Sequence, residues 1–243
     1  MKVKKPVLLK NVLIMHDNPV KIGITTRDAG NFRMSDKNFW INMFNISNHR
    51  AIQSGKFNFM KPEHETRIRS IKENNIDHFS GDGLFYKHQD RFVAMIHCSH
   101  ITISKGIIFK TFNNIKSFVS IDKLNAFIYP GICQDCYEVR EDVIQKFQDH
   151  SKCFKNHKSD SSKKMMDIAK IIHEQVFKSG IHDKNINTIK TCSAHTVISY
   201  TPAFYSWRAR KETSRNLIFV KLPNSEKLLC SNTGDCPYLF LYK

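Results

Sequence analysis

A chain of 243 residues that is 41% hydrophobic and 11% aromatic can bury a sizeable core, which excludes a disordered protein. Lys10 and Asn11 interrupt the apolar segment VLLKNVLIM, so no run approaches the roughly 18 apolar residues of a membrane span, and the same break argues against a secretory leader. A formal net charge of +16 points to an anionic partner such as nucleotide, phosphate or nucleic acid. The Lys and Arg residues are spread along the chain without a helix-turn-helix, RRM-type or zinc-finger signature, so a weak, general attraction to polyanions is expected.

In chain order, residues 21–26 read as a strand, followed by the turn TRDAGNF, in which Gly30 can take a positive φ. Residues 39–57 show no clear period. RFVAMIHCSH is apolar on both faces up to Ile96, the pattern of a buried strand, and delivers His97 where ligand crevices commonly form. Cys98 is expected to point to the opposite face. Residues 104–118 place Ile107, Ile108, Phe112 and Ile115 on one helical face, and 140–147 place Val143, Ile144 and Phe147 inward. Between them LNAFIYPGICQDCYEV runs from an apolar strand into a Cys-rich turn. The polar stretch 148–164 reads as an exposed connection. Met165, Ile168, Ala169, Ile172 and Val176 then recur at helical spacing, with Gly180 placed to end the helix. Residues 186–191, 204–207 and 217–222 read as strands, and CSNTGDCPYLFLYK as a terminal edge strand or small appendage. This irregular alternation implies an α/β or α+β layered domain.

Several constellations carry chemistry. Of twelve histidines, His64, His78, His88, His97 and His100 fall in one region, and imidazole suits zinc or copper. Seven scattered cysteines do not form a compact disulfide framework, which favours a reducing, cytoplasmic setting. Cys133-x-x-Cys136 and Cys192-x-x-His195 have the ligands of a closed Cys3His zinc site, but lie farther apart than familiar fingers; a redox pair and inert buried thiols are the other readings. YSWRARKETSR gathers Arg208, Arg210, Lys211 and Arg215 beside Tyr205 and Trp207. That run is either a phosphate or nucleotide contact or an exposed charged hairpin with Trp207 packed inward.

Taken in order, five segments resemble the YfiH-type laccase-domain family, also described as multicopper polyphenol oxidoreductase-like proteins and purine nucleoside phosphorylases. IGITTRDAGNF resembles the GFTTRxGG start, KPEHETRI with His64 the QVHGTRV segment, and RFVAMIHCSH the strand ending in HAGWRG. YPGICQDCYEV resembles IGPxIGPCCYEV, and FYSWRARKETSRNLIFVKL resembles FFSYRRDGxTGRMASVIWL. The resemblance implies one α+β domain over residues 1–243, with layered mixed β-sheets flanked by helices and residues 223–243 as a candidate C-terminal extension. It implies phosphorolysis or deamination of adenosine, inosine or guanosine, with purine nucleoside and phosphate as partners. His64 and His97 become catalytic residues and metal ligands, and Arg208, Arg215 and Tyr205 substrate or phosphate contacts. Zinc is the implied cofactor, with copper the alternative and none if the site is degenerate; metal-activated water would serve as nucleophile.

Two departures bear on this. The family's ADC cysteine is missing from HFSGDGLFYKHQDRF, leaving Asp82, His78 or His88 as substitutes, and CSHI replaces the GWRG tail. A catalytically degenerate nucleotide- or nucleic-acid-binding protein is therefore the alternative expectation, and a copper-dependent phenol oxidoreductase a further one.

Overall fold

The computed structural model describes residues 7–17, 19–49, 56–71, 77–129, 131–222 and 227–243. Two mixed sheets dominate. The seven-stranded sheet runs in the order Val7–Leu9, Val12–Asp17, Lys21–Thr25, Asn216–Lys221, Lys227–Thr233, Lys56–Lys61, Asp77–Ser80. The six-stranded sheet runs Ile186–Thr188, Asn125–Tyr129, Tyr238–Tyr242, Arg91–His97, Gly83–His88, Ile68–Ser70.

Side-chain alternation sorts the strands into three cores. Ile22, Ile24, Ile218, Val220 and Leu229 of the seven-stranded sheet face Val93, Met95, Phe127, Tyr238 and Phe240 of the six-stranded sheet, and these form the central core. The intervening residues point outward. Ala94, Ile96, Ala126, Ile128, Leu239 and Leu241 pack against the helices Ile107–Ile115 and Ile168–Lys178. Val12, Ile14, Leu217, Phe219 and Leu228 pack against the helix Phe39–Ser47. The result is a layered α+β fold, helix on sheet on sheet on helix. Strands buried on both faces lose the polar alternation of a surface strand, which is why RFVAMIH reads as continuously apolar.

The expected elements mostly stand, with informative differences. Gly30 has φ 102°, as its turn requires. The single helix expected at 104–118 is two, His100–Ser104 and Ile107–Ile115, because Gly106 at φ 77° breaks the chain between them. The helix expected at 140–147 is one short turn, Glu141–Ile144, continued by three-ten turns. The stretch expected as an exposed connection contains the buried His150 and Cys153 and two short strands, Phe154–Asn156 and Lys164–Met166. His150 is accommodated by a 2.6 Å contact between its Nδ1 and Glu174 Oε2. The strand expected at 204–207 is instead the entry to the helix Trp207–Arg210, capped by Ser206 Oγ, which accepts from Ala209 N. Trp207 is exposed there, not packed inward.

The largest correction concerns the C-terminus. Lys227–Thr233 and Tyr238–Tyr242 are interior strands, one in each sheet, and all five residues of the latter are buried. They form neither an edge strand nor an appended extension; residues 223–226 of that proposed extension lie outside the described residues. Among the described residues no helix is long and apolar enough to cross a membrane.

Phe240 is fully buried in the central core. Phe240→Ala is therefore expected to destabilise the protein by about 3–5 kcal/mol, measured by denaturant unfolding.

Candidate active site

The site is built around one buried carboxylate. Asp82 follows the strand Asp77–Ser80 through a turn and is fully buried. Its Oδ1 accepts from the backbone N–H of Glu63 at 3.3 Å and of His64 at 3.0 Å, and its Oδ2 from those of Glu65 at 2.8 Å and Thr66 at 2.9 Å. His64 and Thr66 have φ 61° and 64°, conformations that non-glycine residues adopt at a cost, above all a β-branched threonine. The convergence of four N–H groups on one anion stabilises that loop. Asp82 Oδ1 also receives His97 Nδ1 at 3.0 Å. One side chain thus positions both histidines anticipated from the sequence.

The electrostatics follow. Burial alone would raise the Asp82 pKa, but the bonds from His97 and the His64 backbone hold it down at about 2. Burial likewise opposes a charged His97 ring; the Cys236 sulfur and Asp82 outweigh it and push its pKa up to about 9. His64, whose Nδ1 lies 2.9 Å from Ser99 Oγ, has its pKa lowered by burial and by the neighbouring His97 charge. The two imidazole rings stand 4.9 Å apart between centroids.

Cys236 was not among the residues anticipated for the site. Its loop joins the strands Lys227–Thr233 and Tyr238–Tyr242, and Tyr238 lies directly opposite His97 in the sheet. Cys98 N donates to Pro237 O at 2.9 Å, and this pins the loop beside the histidines. Gly131, at φ 68°, lies under the loop: any Cβ there would run into the backbone of Asp235 and Cys236. Asp235 Oδ1 accepts from Ser193 Oγ and Ser206 Oγ, each at 2.6 Å, and Oδ2 from Arg208 N at 2.7 Å. The only local sequence signal is a cysteine two residues before a strand. Its meaning depends on which strand pairs with Arg91–His97.

Two clefts meet at His64, Arg215 and Cys236. The larger, about 430 Å³, is also lined by Arg33, Lys61 and His97. The smaller, about 200 Å³, adds Ser99, His100, Tyr137, Trp207 and Arg208. His100 Nδ1 lies 3.0 Å from the Tyr137 hydroxyl, and its pKa is lowered to about 4 by burial and by the Arg208 charge. Arg208 stacks 4.5 Å over the Tyr137 ring while its Nη1 donates to Glu138 O at 2.6 Å. Arg215 Nη1 donates to the carbonyls of Glu212, Thr213 and Ser214, which holds its own turn.

The other anticipated residues lie elsewhere. Tyr205 lines neither cleft; its hydroxyl donates to Arg27 O at 3.2 Å, beneath the Arg27 guanidinium. Arg210 is turned inward to Glu212 and to the carbonyls of Ser193, Ala194 and Phe204. Cys98 is buried in the outer core, as expected for the opposite face. Asp82 positions the histidines instead of standing in as a ligand. The side chains of His78 and His88 lie outside the described residues.

Among the described residues, two groups bring three or more candidate metal-ligand atoms within 4.8 Å of one another: Cys133, Cys136, Cys192 and His195, and His150, Cys153 and Glu174. The donors of His64, His97 and Cys236 do not draw together that closely. In kind, two imidazoles and a thiol suit zinc or copper.

The fold of two packed mixed sheets flanked by helices is shared with solved YfiH-like structures. Bacillus licheniformis hypothetical protein YfiH superposes with a TM-score of 0.70 at 15% identity, covering 96% of both chains. YlmD from Geobacillus stearothermophilus gives 0.73 at 13%, covering 97% of both. A Neisseria meningitidis protein gives 0.66 at 14%, covering 96% of this chain and 99% of that one. A search of curated proteins finds no match. The profile of the family described as multi-copper polyphenol oxidoreductase laccase matches residues 83–223, and the chain belongs to this YfiH-type laccase-domain family.

Two expectations follow for metal-free protein. Asp82→Ala leaves four N–H groups and His97 without their acceptor, so a loss of roughly 3–5 kcal/mol is expected in denaturant unfolding. The folded-state pKa of Asp82, about 2, is below the ordinary 3.8, so its contribution is present above that value and lost as pH falls through about 2. His97 runs the other way. Its stabilisation is full below about pH 6.5 and lost as pH rises through about 9. NMR titration of the His97 ring should show that midpoint, and Asp82→Asn should lower it.

Proposed function

We propose that the protein is an enzyme acting on purine nucleosides, cleaving the glycosidic bond with phosphate or removing the exocyclic amine. The observation that carries this reading is the Cys236 thiol beside His97, in a site whose departures from the family pattern in sequence had suggested degeneracy. Cys236 offers the site a thiol from a part of the chain outside the motif that lacks one.

The two clefts differ in character in a way that suits a nucleoside. Arg33, Lys61 and Arg215 make one basic, fit to hold phosphate; Tyr137, Trp207 and His100 make the other aromatic, fit to take a base by stacking. A volume of about 430 Å³ is in the range of small-molecule sites. The reacting atoms would lie where the clefts meet, at His64 and Cys236. Asp82 fixes the His97 tautomer with the proton on Nδ1, which leaves Nε2 to deliver or accept a proton at the substrate. In phosphorolysis a phosphate oxygen attacks the sugar carbon, the carbon–nitrogen bond breaks, and His97 protonates the departing base. A zinc or copper ion held by His64, His97 and Cys236 would take up the same His97 Nε2 as a ligand, and would then supply Lewis acidity in place of that proton.

The family description also names copper-dependent phenol oxidation, and Cys236 offers the soft ligand that copper favours. This second reading predicts a visible absorption band in copper-loaded protein that Cys236→Ser abolishes.

The deciding experiment is chromatography of products from adenosine, inosine and guanosine, with and without phosphate. Wild type is expected to yield free base or deaminated nucleoside, and His97→Ala to lose about 10²–10⁴-fold in rate. Turnover that survives unchanged in both His97→Ala and Cys236→Ser would sink the proposal.

A further inference from the structure

Three of the cysteines outside the cleft, Cys133, Cys136 and Cys192, converge in one place. The strands Asn125–Tyr129 and Ile186–Thr188 pair in parallel, so their continuations leave the sheet at the same end. Ile189 N donates to Ile128 O at 3.0 Å and Ser193 N to Gly131 O at 2.7 Å, which keeps the two segments together beyond the strands. Cys133-x-x-Cys136 lies on one and Cys192-x-x-His195 on the other. Their separation of 59 residues, between Cys133 and Cys192, disappears in space.

Each pair sits on a hydrogen-bonded turn. Cys136 N donates to Cys133 O at 3.1 Å, and Thr196 N to Cys192 O at 3.0 Å. Across the pairs, Cys133 N donates to Cys192 Sγ at 3.3 Å, a bond that favours a sulfur carrying negative charge. His195 Nδ1 lies 3.8 Å from Cys133 Sγ and 3.3 Å from Cys136 Sγ. All four donor atoms are within 4.8 Å of one another. Bond lengths of about 2.3 Å to sulfur and 2.0–2.1 Å to nitrogen make the sulfur–nitrogen edge of a tetrahedral site about 3.5 Å. The observed separations bracket that value.

We propose that Cys133, Cys136, Cys192 and His195 form a closed structural zinc site, distinct from the catalytic cleft and independent of the purine reading. Four protein ligands leave no open position, so the ion is structural and not catalytic. Binding replaces the thiol protons, which leave to solvent, with no change of oxidation state. A redox role for the Cys133 and Cys136 pair would need an oxidant and would leave the third thiol and the imidazole unexplained.

The site has a structural task. Tyr137, directly after Cys136, forms the wall of the smaller cleft, and Ser193, directly after Cys192, bonds Asp235 beside Cys236. Zinc would tie these two segments together behind the catalytic thiol.

The test measures zinc per chain by elemental analysis in full-length protein purified under reducing conditions. Cys192→Ser and His195→Ala should each lose one zinc ion relative to wild type, and in the double variant His97→Ala/Cys236→Ser, which removes any cleft metal, one zinc ion per chain should remain. Cobalt-loaded wild type should show thiolate-to-metal charge transfer that persists in Cys236→Ser. Thiol labelling of native wild type provides a readout that needs no variant to fold: Cys133 and Cys136, both partly exposed, should be shielded until a chelator is added. Zinc content unchanged in Cys192→Ser, or labelling equally fast with and without chelator, would overturn the proposal.

Discussion

Everything at the candidate site depends on the burial of one carboxylate. Asp82 has no contact with solvent, yet it is satisfied by four backbone N–H groups and an imidazole. A buried charge of that kind is tolerated only when its lone pairs are filled, and filling them forces residues 63–66 into a tight loop with two left-handed residues. The loop brings His64 to the cleft, and the remaining bond sets His97. Lys105 Nζ donates to His64 O and Lys110 Nζ to Thr66 Oγ1, so the turn after His100–Ser104 and the helix Ile107–Ile115 clamp the same loop from behind.

The thiol illustrates how a residue can reach a site from a part of the chain that no sequence motif marks. Directly after Asp82 comes Gly83, where a Cβ would come within 3.0 Å of the Ile68 side chain. The local packing has closed over that position. The sulfur instead enters from the loop at Cys236, held by the pairing of Tyr238 with His97 and by the absence of a side chain at Gly131. The second of these is a condition on a residue more than a hundred positions away.

The basic charge is distributed in the same economical way. Arg210 and Arg215 spend much of their donor capacity on carbonyl groups of neighbouring turns, and Arg27 pairs with Glu212. These bonds order the loops around the cleft. A net charge of +16 is therefore no measure of a binding surface: part of it is framework, and Arg33, Lys61 and Arg215 bring some of it to the cleft.

What the sequence determined by itself was whatever rests on local periodicity. The buried strand ending at His97, the helix ended by Gly180, the turn at Gly30 and the layered α+β class are all written in runs of neighbouring residues, because apolar spacing and backbone freedom act over a few positions. The ordered motifs likewise placed His64 and His97. Only the tertiary structure decided which strands pair, and the rest follows from that. The parallel pairing of Ile186–Thr188 with Asn125–Tyr129 joins two cysteine pairs whose spacing matches no familiar finger. The insertion of Tyr238–Tyr242 at the centre of a sheet turns an apparent appendage into core and brings a sulfur to the candidate cleft. Contacts between distant segments are settled by the free energy of the whole packed fold, and no short stretch of chain encodes them.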